Sequence, residues 1–242
     1  MLSIKDLSYR VDDNGETKTI IDHLNLEIPD GKFVVVTGPN GGGKSTLAKL
    51  IMGIYPSTDG KIFFGGEEIT NDNITDRAKK GISFAFQQPV HFKGIKVVDL
   101  LRLASGRKLT ISEACEYLSK VGLCARDYIE REVNASLSGG ELKRIEIATV
   151  LARGTKFAIF DEPEAGIDLW SFQNLIRVFE NIRESINGTI LIISHQERIL
   201  NIADEIIVIE NGKVMKHGSK DEILPEILGS PLAESGSCQK LI

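Results

Sequence analysis

The sequence predicts an α/β protein whose mainly parallel β-sheet is covered by helices on both faces. From residue 156 onward, apolar β-branched segments alternate with helical segments, which is typical of parallel sheets. Earlier in the chain, "KFVVVTG" at residues 32–38 is short and apolar, and it indicates a fully buried strand. Between these parts, residues 97–131 have helical periodicity, which indicates a helical lobe inserted into the sheet domain.

The first third of the chain is predicted to form an N-terminal antiparallel β subdomain. Residues 2–11 and 19–28 alternate apolar and polar side chains, as half-buried strands do, and the turn sequence "DDNGET" joins them. Two further strands are predicted over residues 60–69 and 81–89, the second stopped by Pro89.

The inserted lobe is predicted to be α-helical. Residues 97–105 and 110–122 have the periodicity of amphipathic helices. Either Thr110 or Ser112 could cap the second helix, and Gly122 ends it.

The remaining elements complete the predicted domain. They are strand 156–162, helix 169–185, strand 189–195, helix 196–203, and strands 205–212 and 213–218, joined by the hairpin signal Asn211-Gly212. We expect one domain over residues 1–228, with the helical lobe inserted at about residues 88–150. A polar and flexible tail is expected over residues 229–242.

The composition argues against several classes of function. With 242 residues, a net charge of −5 and a pI of about 5.5, the chain lacks the basic surplus of nucleic-acid binders, so no nucleic-acid partner is expected. No apolar run approaches the ~20 residues of a membrane-spanning helix, so we expect a cytoplasmic protein without a direct membrane span. Cys115, Cys124 and Cys238 match no metal-site spacing and are interpreted as reduced thiols.

A phosphate-binding loop follows the buried strand. The segment "GPNGGGKS" fits G-x-x-x-x-G-K-[ST] and opens a helix predicted over residues 44–54. Glycines let backbone N–H groups approach phosphate oxygens, and the helix N-terminus adds positive charge. Lys44 is expected to reach the β- and γ-phosphates, and Ser45 to hold Mg²⁺. The residues predicted to bind nucleotide here are Gly38, Pro39, Asn40, Gly41, Gly42, Gly43, Lys44, Ser45 and Thr46.

Two carboxylates close the apolar strand "KFAIFDE". Asp161 ends the strand at the sheet edge, where a carboxylate can hold Mg²⁺. Glu162 follows it, and at a strand end the chain is free to turn both side chains toward a ligand. We therefore predict that Asp161 is a metal ligand and that Glu162 is the general base for an attacking water. These residues predict a triphosphate and Mg²⁺ as the ligands of the site.

Together these motifs resemble those of the ATP-binding-cassette (ABC) ATPases. "LSGGE" at residues 137–141, "FAIFDE", "AGID" and "IISH" occur with the phosphate loop in that family's order, over about residues 1–220. The resemblance implies a P-loop NTPase core with the ABC ATPase fold, and Mg²⁺-dependent hydrolysis of ATP. It also implies that Gln87 is a metal ligand that senses the γ-phosphate, and that His195 contacts the γ-phosphate.

The "LSGGE" segment implies a second copy of the chain in the ATP-bound state. The resemblance implies that Ser138, Gly139 and Gly140 bind the γ-phosphate of the opposite subunit's ATP. It also implies that Asp168 contacts the opposite subunit across the dimer interface. A hydroxyl, approachable glycine N–H groups and the N-terminus of the following helix all suit phosphate. ATP would then join two copies, and hydrolysis would release them.

The aromatic residue that stacks on adenine in the family has no clear counterpart. The family usually carries it near the end of the first strand, where this chain has Val11. Tyr9 lies two residues earlier, on the same face of a strand, and is the other candidate for the adenine contact. The sequence leaves both open.

Within the family the chain resembles the SufC type, the ATPase of Suf iron–sulfur cluster assembly. "LSIKDLSYRV", "GISFAFQQPVHFKG", "REVNASLSGGELKRIEI" and "SHQERIL" are similar to SufC-like sequences, and Glu164 stands where transporters usually have Thr or Ser. Against this, the lobe is shorter than in typical SufC proteins, and Pro163 is common in transporters. The resemblance implies a shortened SufC-like form with a SufB/SufD-like scaffold protein as partner.

The same resemblance places the docking surface for a partner near Gln87. The segment "QQPVHFKGIKVVDLL" carries five candidate apolar residues, Val90, Phe92, Ile95, Val97 and Val98. These side chains either form an exposed patch, which would mark a partner site, or line the core of the lobe. The sequence supports both interpretations equally.

Three other functions compete with the Suf interpretation. The nucleotide-binding subunit of an ABC membrane transporter shares the ATPase chemistry and differs only in its partner. A DNA-repair or translation ATPase of the same superfamily is disfavoured by the acidic charge, the single cassette and the missing coiled-coil insertion. A catalytically inactive binding module is disfavoured by the presence of Lys44, Asp161, Glu162 and His195.

Overall fold

The computed structural model describes residues 1–13, 15–134, 136–185 and 188–229. The strands are β1 (Leu2–Asp13), β2 (Glu16–Ile28), β3 (Phe33–Thr37), β4 (Asp59–Phe64), β5 (Glu67–Glu68), β6 (Ile82–Ala85), β7 (Phe157–Asp161), β8 (Thr189–Ile193), β9 (Glu205–Glu210) and β10 (Lys213–Ser219). The helices are α1 (Lys44–Met52), α2 (Ile74–Lys80), α3 (Val97–Ser105), α4 (Ile111–Lys120), α5 (Ala125–Tyr128), α6 (Gly139–Arg153), α7 (Leu169–Ser185), α8 (Glu197–Asn201) and α9 (Lys220–Leu228). The predicted tail, apart from its first residue, lies outside the described residues.

The larger sheet has the strand order β10-β9-β3-β8-β7-β6, and every neighbouring pair except β10–β9 is parallel. The predicted mainly parallel sheet is thereby confirmed. Asn211 and Gly212 have φ values of 50° and 75°, which suits the tight hairpin between β9 and β10. Because β3, β7 and β8 are parallel, their carboxyl ends meet at one edge of the sheet, and this edge positions the site.

Alternate residues of β3 enter two different cores. Phe33 and Val35 pack in the core that contains the apolar residues of α6, α7 and the lobe helices. Val34 and Val36 pack in the core that contains α1 and the N-terminal strands. Successive side chains of a strand point to opposite faces, so a strand covered on both faces is apolar throughout. All five residues of β3 are buried, as the sequence predicts.

The N-terminal sheet has the strand order β2-β1-β4-β5 and is antiparallel throughout. The antiparallel β subdomain is therefore present. The single strand expected over residues 60–69 is instead the hairpin β4–β5. Gly65 and Gly66 both have positive φ, and two consecutive left-handed residues reverse the chain direction.

Helices α3, α4 and α5 pack with α6 to form the lobe. Thr110 caps α4, and Ser112 does not: the Thr110 Oγ1 accepts a hydrogen bond from the Glu113 N–H at 3.2 Å. Glu113 Oε2 in turn accepts one from the Thr110 N–H at 2.8 Å, which completes a capping box. The lobe limits of about 88–150 stay a prediction, and α6 runs past the second limit to Arg153.

Helices α2 and α9 are not expected from the sequence. Asn73 caps α2 by accepting a hydrogen bond from the Asp76 N–H at 3.0 Å, and α9 contains Pro225. Helices this short depend on caps and tertiary packing, which apolar periodicity does not reveal. Among the described residues, no helix combines the length and the apolar character that crossing a membrane requires.

Candidate active site

The phosphate loop joins the buried end of β3 to the N-terminus of α1. Gly38 has a φ of 131°, and a Cβ atom there would lie 2.0 Å from the carbonyl oxygen of Ile209 in β9. Only glycine fits this close approach. Gly43 precedes α1 without any side-chain cap, so the N–H groups of the first turn are available to an anion.

Lys44 is folded into this loop. Its Nζ donates hydrogen bonds to the carbonyl oxygens of Gly38 and Pro39, at 2.8 and 2.9 Å, and the residue is only 5% exposed. Burial lowers the pKa of Lys44, and the charges of Glu162 and Asp161 oppose this shift. The next residue, Ser45, contacts Asp161 at the sheet edge.

Ser45 and Asp161 meet at the junction of α1 and β7. The Ser45 Oγ donates a hydrogen bond to Asp161 Oδ1 at 2.8 Å, and Asp161 is 4% exposed. Burial raises the pKa of Asp161, while the hydrogen bond from Ser45 opposes the rise. A hydroxyl and a carboxylate are oxygen ligands of the kind that Mg²⁺ prefers, so this donor set fits the ion.

The backbone turns sharply at Glu162. Its φ is 43°, in the left-handed region that is strained for residues other than glycine, and its N–H donates to the Ile193 carbonyl at 3.0 Å. The Glu162 Oε2 accepts a hydrogen bond from Gln87 Nε2 at 2.6 Å. The strand predicted over residues 81–89 is shorter than expected, because β6 ends at Ala85. Gln87 lies in the following loop, where its side chain is free to reach Glu162.

His195 lies two residues beyond β8, at the same edge of the sheet. Desolvation lowers its pKa, and the positive charge of Lys44 lowers it further. A lowered pKa favours the neutral imidazole, which can donate one hydrogen bond.

Glu164 is a third carboxylate near this edge. Its Oε1 accepts a hydrogen bond from Ser194 Oγ at 2.5 Å. Its Oε2 is buried and has no hydrogen-bond partner among the described residues. Burial raises the pKa of Glu164. This residue ties the turn after β7 to the segment after β8.

The "LSGGE" segment forms the start of α6. The Ser138 Oγ accepts a hydrogen bond from the Glu141 N–H at 3.3 Å, and Glu141 Oε2 accepts one from the Ser138 N–H at 2.7 Å. Gly140 packs against α7 so closely that a Cβ atom would lie 2.7 Å from the Ser171 Oγ. Within the described ranges, no hydrogen bond joins residues 138–140 to the phosphate loop of the same chain.

Asp168 caps helix α7. Its carboxylate accepts hydrogen bonds from the N–H groups of Trp170 and Ser171, both at 2.9 Å, and from the Ser171 Oγ at 2.7 Å. The bonds from Ser171 and then Trp170 lower the pKa of Asp168. Leu169 and Trp170 are 64% and 76% exposed, so the first turn of α7 presents two large apolar side chains to solvent.

The ring of Tyr9 is engaged by another tyrosine. It stacks on Tyr55, with centroids 5.4 Å apart and planes inclined by 2°. Tyr55 follows the C-terminal end of α1, whereas the phosphate loop lies at the N-terminal end, about 14 Å away along a helix of 9 residues. Tyr9 is therefore occupied by a contact within the protein.

An apolar groove lies beside the Gln87 loop, and we call it the Phe86 groove. It has a volume of about 200 Å³, and its apolar lining includes Met52, Ile54, Ile74, Phe84, Phe86 and Ala104.

The five candidate docking residues differ in exposure. Val97 and Val98 are buried in the lobe core, whereas Val90 is 48% exposed. Phe92 and Ile95 are partly buried. Helix α3 turns Val97 and Val98 inward, so they cannot form a docking patch.

Two charged residues of α6 lie next to the site and were not recognised in the sequence. Glu146 Oε1 accepts a hydrogen bond from the Phe86 N–H at 3.0 Å, and Lys143 Nζ donates one to the Phe86 carbonyl. Their spacing of three residues on a helix with many buried apolar positions is the signal that could have revealed them.

Proteins with similar sequences are ATP-binding cassettes. A family model described as "ABC transporter" matches residues 21–165. An uncharacterized ABC transporter ATP-binding protein of Methanocaldococcus jannaschii is 38% identical over 232 residues, covering 92% of this chain and 90% of that protein. A probable ATP-dependent transporter of Pyropia yezoensis is 36% identical over 234 residues, covering 90% and 91%. The iron–sulfur cluster assembly protein SufC of Plasmodium falciparum is 35% identical over 234 residues, covering 90% and 66%.

Solved structures of cassettes share the fold. A dimeric post-hydrolysis state of an ATP-binding cassette, bound to ADP and phosphate, matches with a TM-score of 0.80 at 22% identity, covering 91% of this chain and 99% of that one. The ADP conformation of a cassette from an ABC transporter matches with a TM-score of 0.79 at 25% identity, covering 97% of each chain. The predicted fold class is confirmed.

Proposed function

The chain belongs to the ABC transporter family of ATP-binding cassettes and is an ATPase, and from this premise we propose that it drives a conformational change in a SufB/SufD-like scaffold for iron–sulfur cluster assembly. The observation that carries this choice is Glu164. It is an acid at a position where transporters usually have Thr or Ser. Its Oε1 accepts a hydrogen bond from Ser194 Oγ, at the edge of the sheet where Glu162 lies. The similarity to a SufC protein over 90% of the chain supports the same choice.

We assign ATP to the phosphate loop and Mg²⁺ to the adjacent oxygen ligands. Residues 38–46 offer backbone N–H groups and the Lys44 charge to the phosphates. Ser45 and Asp161, already 2.8 Å apart, would hold Mg²⁺, with Gln87 as a third ligand. When bound, the ion neutralises charge on the β- and γ-phosphates.

For hydrolysis we assign the general-base role to Glu162. Gln87 orients its carboxylate through the 2.6 Å hydrogen bond, and the backbone of Glu162 is left-handed directly after β7 ends. A general base must lie within hydrogen-bond reach of the water it activates, and the residue is held at the edge where the phosphates would lie. His195 is proposed to donate a hydrogen bond to the γ-phosphate.

We assign Ser138, Gly139, Gly140 and Asp168 to the ATP of a second copy of the chain. The N-terminus of α6, a helix of 15 residues, provides the positive end that an anion requires. Residues 138–140 have no described hydrogen bond to their own phosphate loop, which supports a role toward another molecule. ATP bound between two copies would favour the closed dimer, and hydrolysis would open it.

The scaffold is proposed to dock in the Phe86 groove. The groove is apolar, and Phe86 and Ile74, which line it, are 40% and 46% exposed. Phe86 directly precedes Gln87, so an occupant of the groove contacts the loop that reaches Glu162. A cytoplasmic location follows from the proposed scaffold partner.

Affinity purification under anaerobic conditions with Mg-ATP tests this proposal. The bait is the tagged full chain carrying Glu162→Gln, and co-purified proteins are identified by mass. Recovery of a soluble SufB/SufD-like protein is the expected result. A matched bait carrying Phe86→Asp, which puts a charge into the groove, should recover less of it. Recovery of a polytopic membrane protein instead would refute the Suf role.

The second candidate is the nucleotide-binding subunit of an ABC membrane transporter. The two relatives named as transporter proteins, at 38% and 36% identity, favour it. The site residues and their chemistry would be the same, so only the partner distinguishes the two functions.

A further inference from the structure

The backbone of Phe86 is held by two charged side chains of α6. Its N–H donates a hydrogen bond to Glu146 Oε1 at 3.0 Å, and its carbonyl oxygen accepts one from Lys143 Nζ. Strand pairing ends one residue earlier, where Ala85 is opposite Phe160. The peptide groups next to Gln87 are therefore fixed by α6 and not by the sheet.

Lys143 and Glu146 form a buried ion pair, one turn apart on α6. Lys143 Nζ lies 3.7 Å from Glu146 Oε2, and the two side chains are 3% and 16% exposed. Burial lowers the pKa of Lys143 and raises that of Glu146. Such a pair adds little to stability, because the cost of desolvation offsets the attraction. What it supplies is geometry, since charged groups make the stronger hydrogen bonds.

The held segment leads directly into the candidate active site. Gln87 is the next residue, and its Nε2 donates to Glu162 Oε2 at 2.6 Å. A continuous path of contacts thus runs from α6 through the Phe86 backbone to the Gln87 amide and the Glu162 carboxylate. The two hydrogen bonds to the Phe86 backbone fix the position of the neighbouring Gln87 backbone, from which the Gln87 side chain extends.

We propose that Glu146, with Lys143 as its counter-ion, is a positioning residue that sets the Gln87 amide against Glu162. This inference rests on the proposed roles of Gln87 and Glu162. Lys143 and Glu146 make no described hydrogen bond to residues 38–46, where ATP is proposed to bind. Their loss slows the chemical step and leaves nucleotide affinity intact, because only the orientation of the catalytic groups changes.

Glu146→Gln is the first test. The amide keeps the size of the side chain and one acceptor oxygen, but it removes the charge. We expect kcat for ATP hydrolysis to fall about tenfold, with the Kd for ATP unchanged within about twofold. The matched control is Glu130→Gln, which removes a carboxylate from an exposed ion pair with Lys96 at 2.8 Å and should leave kcat unchanged. A wild-type kcat in Glu146→Gln overturns the inference.

A double-mutant cycle with Gln87→Ala separates positioning from a merely structural role. If Glu146 acts through Gln87, Glu146→Gln causes no further loss of kcat in the Gln87→Ala background. Additive losses would overturn the inference. If Glu146→Gln fails to fold, Lys143→Met/Glu146→Leu replaces the pair with apolar groups of similar size. It should fold and show the same loss of kcat, and a wild-type kcat in it would also overturn the inference.

The same measurements separate this inference from the proposed function. If Gln87→Ala and Glu162→Gln hydrolyse ATP at the wild-type rate, the proposed roles of those residues fail and the inference fails with them. If both are impaired while Glu146→Gln is not, only the positioning role fails.

Discussion

The Ser45 hydroxyl donates a 2.8 Å hydrogen bond to the Asp161 carboxylate, joining residues that are 116 positions apart in the chain. Asp161 is buried at the end of β7, and burial raises its pKa. Two oxygen atoms of the kind that Mg²⁺ prefers therefore meet at the N-terminus of α1, where the phosphates are proposed to lie.

Asp161→Asn should remove most Mg²⁺-dependent hydrolysis. The amide has the same size and can still accept the Ser45 hydrogen bond, but it lacks the charge that holds the ion. We expect kcat/KM for Mg-ATP to fall about 100-fold, equivalent to about 3 kcal/mol. Steady-state rates over a Mg²⁺ titration measure the effect. Asp59→Asn, which removes an exposed ion pair with Arg10, is the control. An unchanged Mg²⁺ dependence in Asp161→Asn would remove that residue from the metal site.

Glu162→Gln should bind ATP and trap an ATP-bound dimer. Loss of a general base typically slows hydrolysis by about 100-fold or more. Hydrolysis, which is proposed to open the dimer, then becomes rare. Light scattering should therefore report a dimer with Mg-ATP and mostly monomer without nucleotide. Wild-type turnover in this variant would remove Glu162 from the general-base role. A tight dimer without nucleotide would contradict ATP as the link between copies.

Trp170 should report closure of the dimer. It is the chain's single tryptophan and is 76% exposed. It lies two residues after Asp168, in the first turn of α7, where Ser171 packs against Gly140. If residues 138–140 face a second copy, the neighbouring indole becomes buried. Mg-ATP added to Glu162→Gln should shift its fluorescence to shorter wavelength, and ADP should not. Dimer formation without any spectral change would place Trp170 outside the interface.

Glu113 predicts a pH dependence of stability in the lobe. The Thr110 N–H and the Arg107 guanidinium hold the pKa of Glu113 at about 2, below its ordinary 4.5. Because the folded-state pKa is depressed, the stabilisation is complete above about pH 4.5 and is lost as the pH falls toward 2. Glu113→Gln should therefore lower Tm at pH 7, and its difference from wild type should shrink below pH 4.5. A constant difference across this range would exclude the titration of Glu113 as the cause.

Local patterns were sufficient to predict the parallel sheet, the N-terminal β subdomain and the phosphate loop. They missed one signal that is itself local, because Gly65 and Gly66 make residues 60–69 a hairpin. The other failures came where caps and tertiary contacts decide the outcome. Helix α2 depends on its Asn73 cap and on Arg77, whose buried guanidinium donates to the carbonyls of Leu50 and Ile51.

The residue pattern is enough to place four groups at one sheet edge. Lys44 and Ser45 come after one buried apolar strand, and Asp161 and Glu162 lie at the end of another. Which of the site's groups pair with one another depends on the folded chain. The Gln87–Glu162 hydrogen bond spans 75 residues, and the Glu146 bond to the Phe86 backbone spans 60. Contacts between residues this far apart depend on how helix α6 packs on the sheet, and packing is a property of the whole fold and not of any one segment.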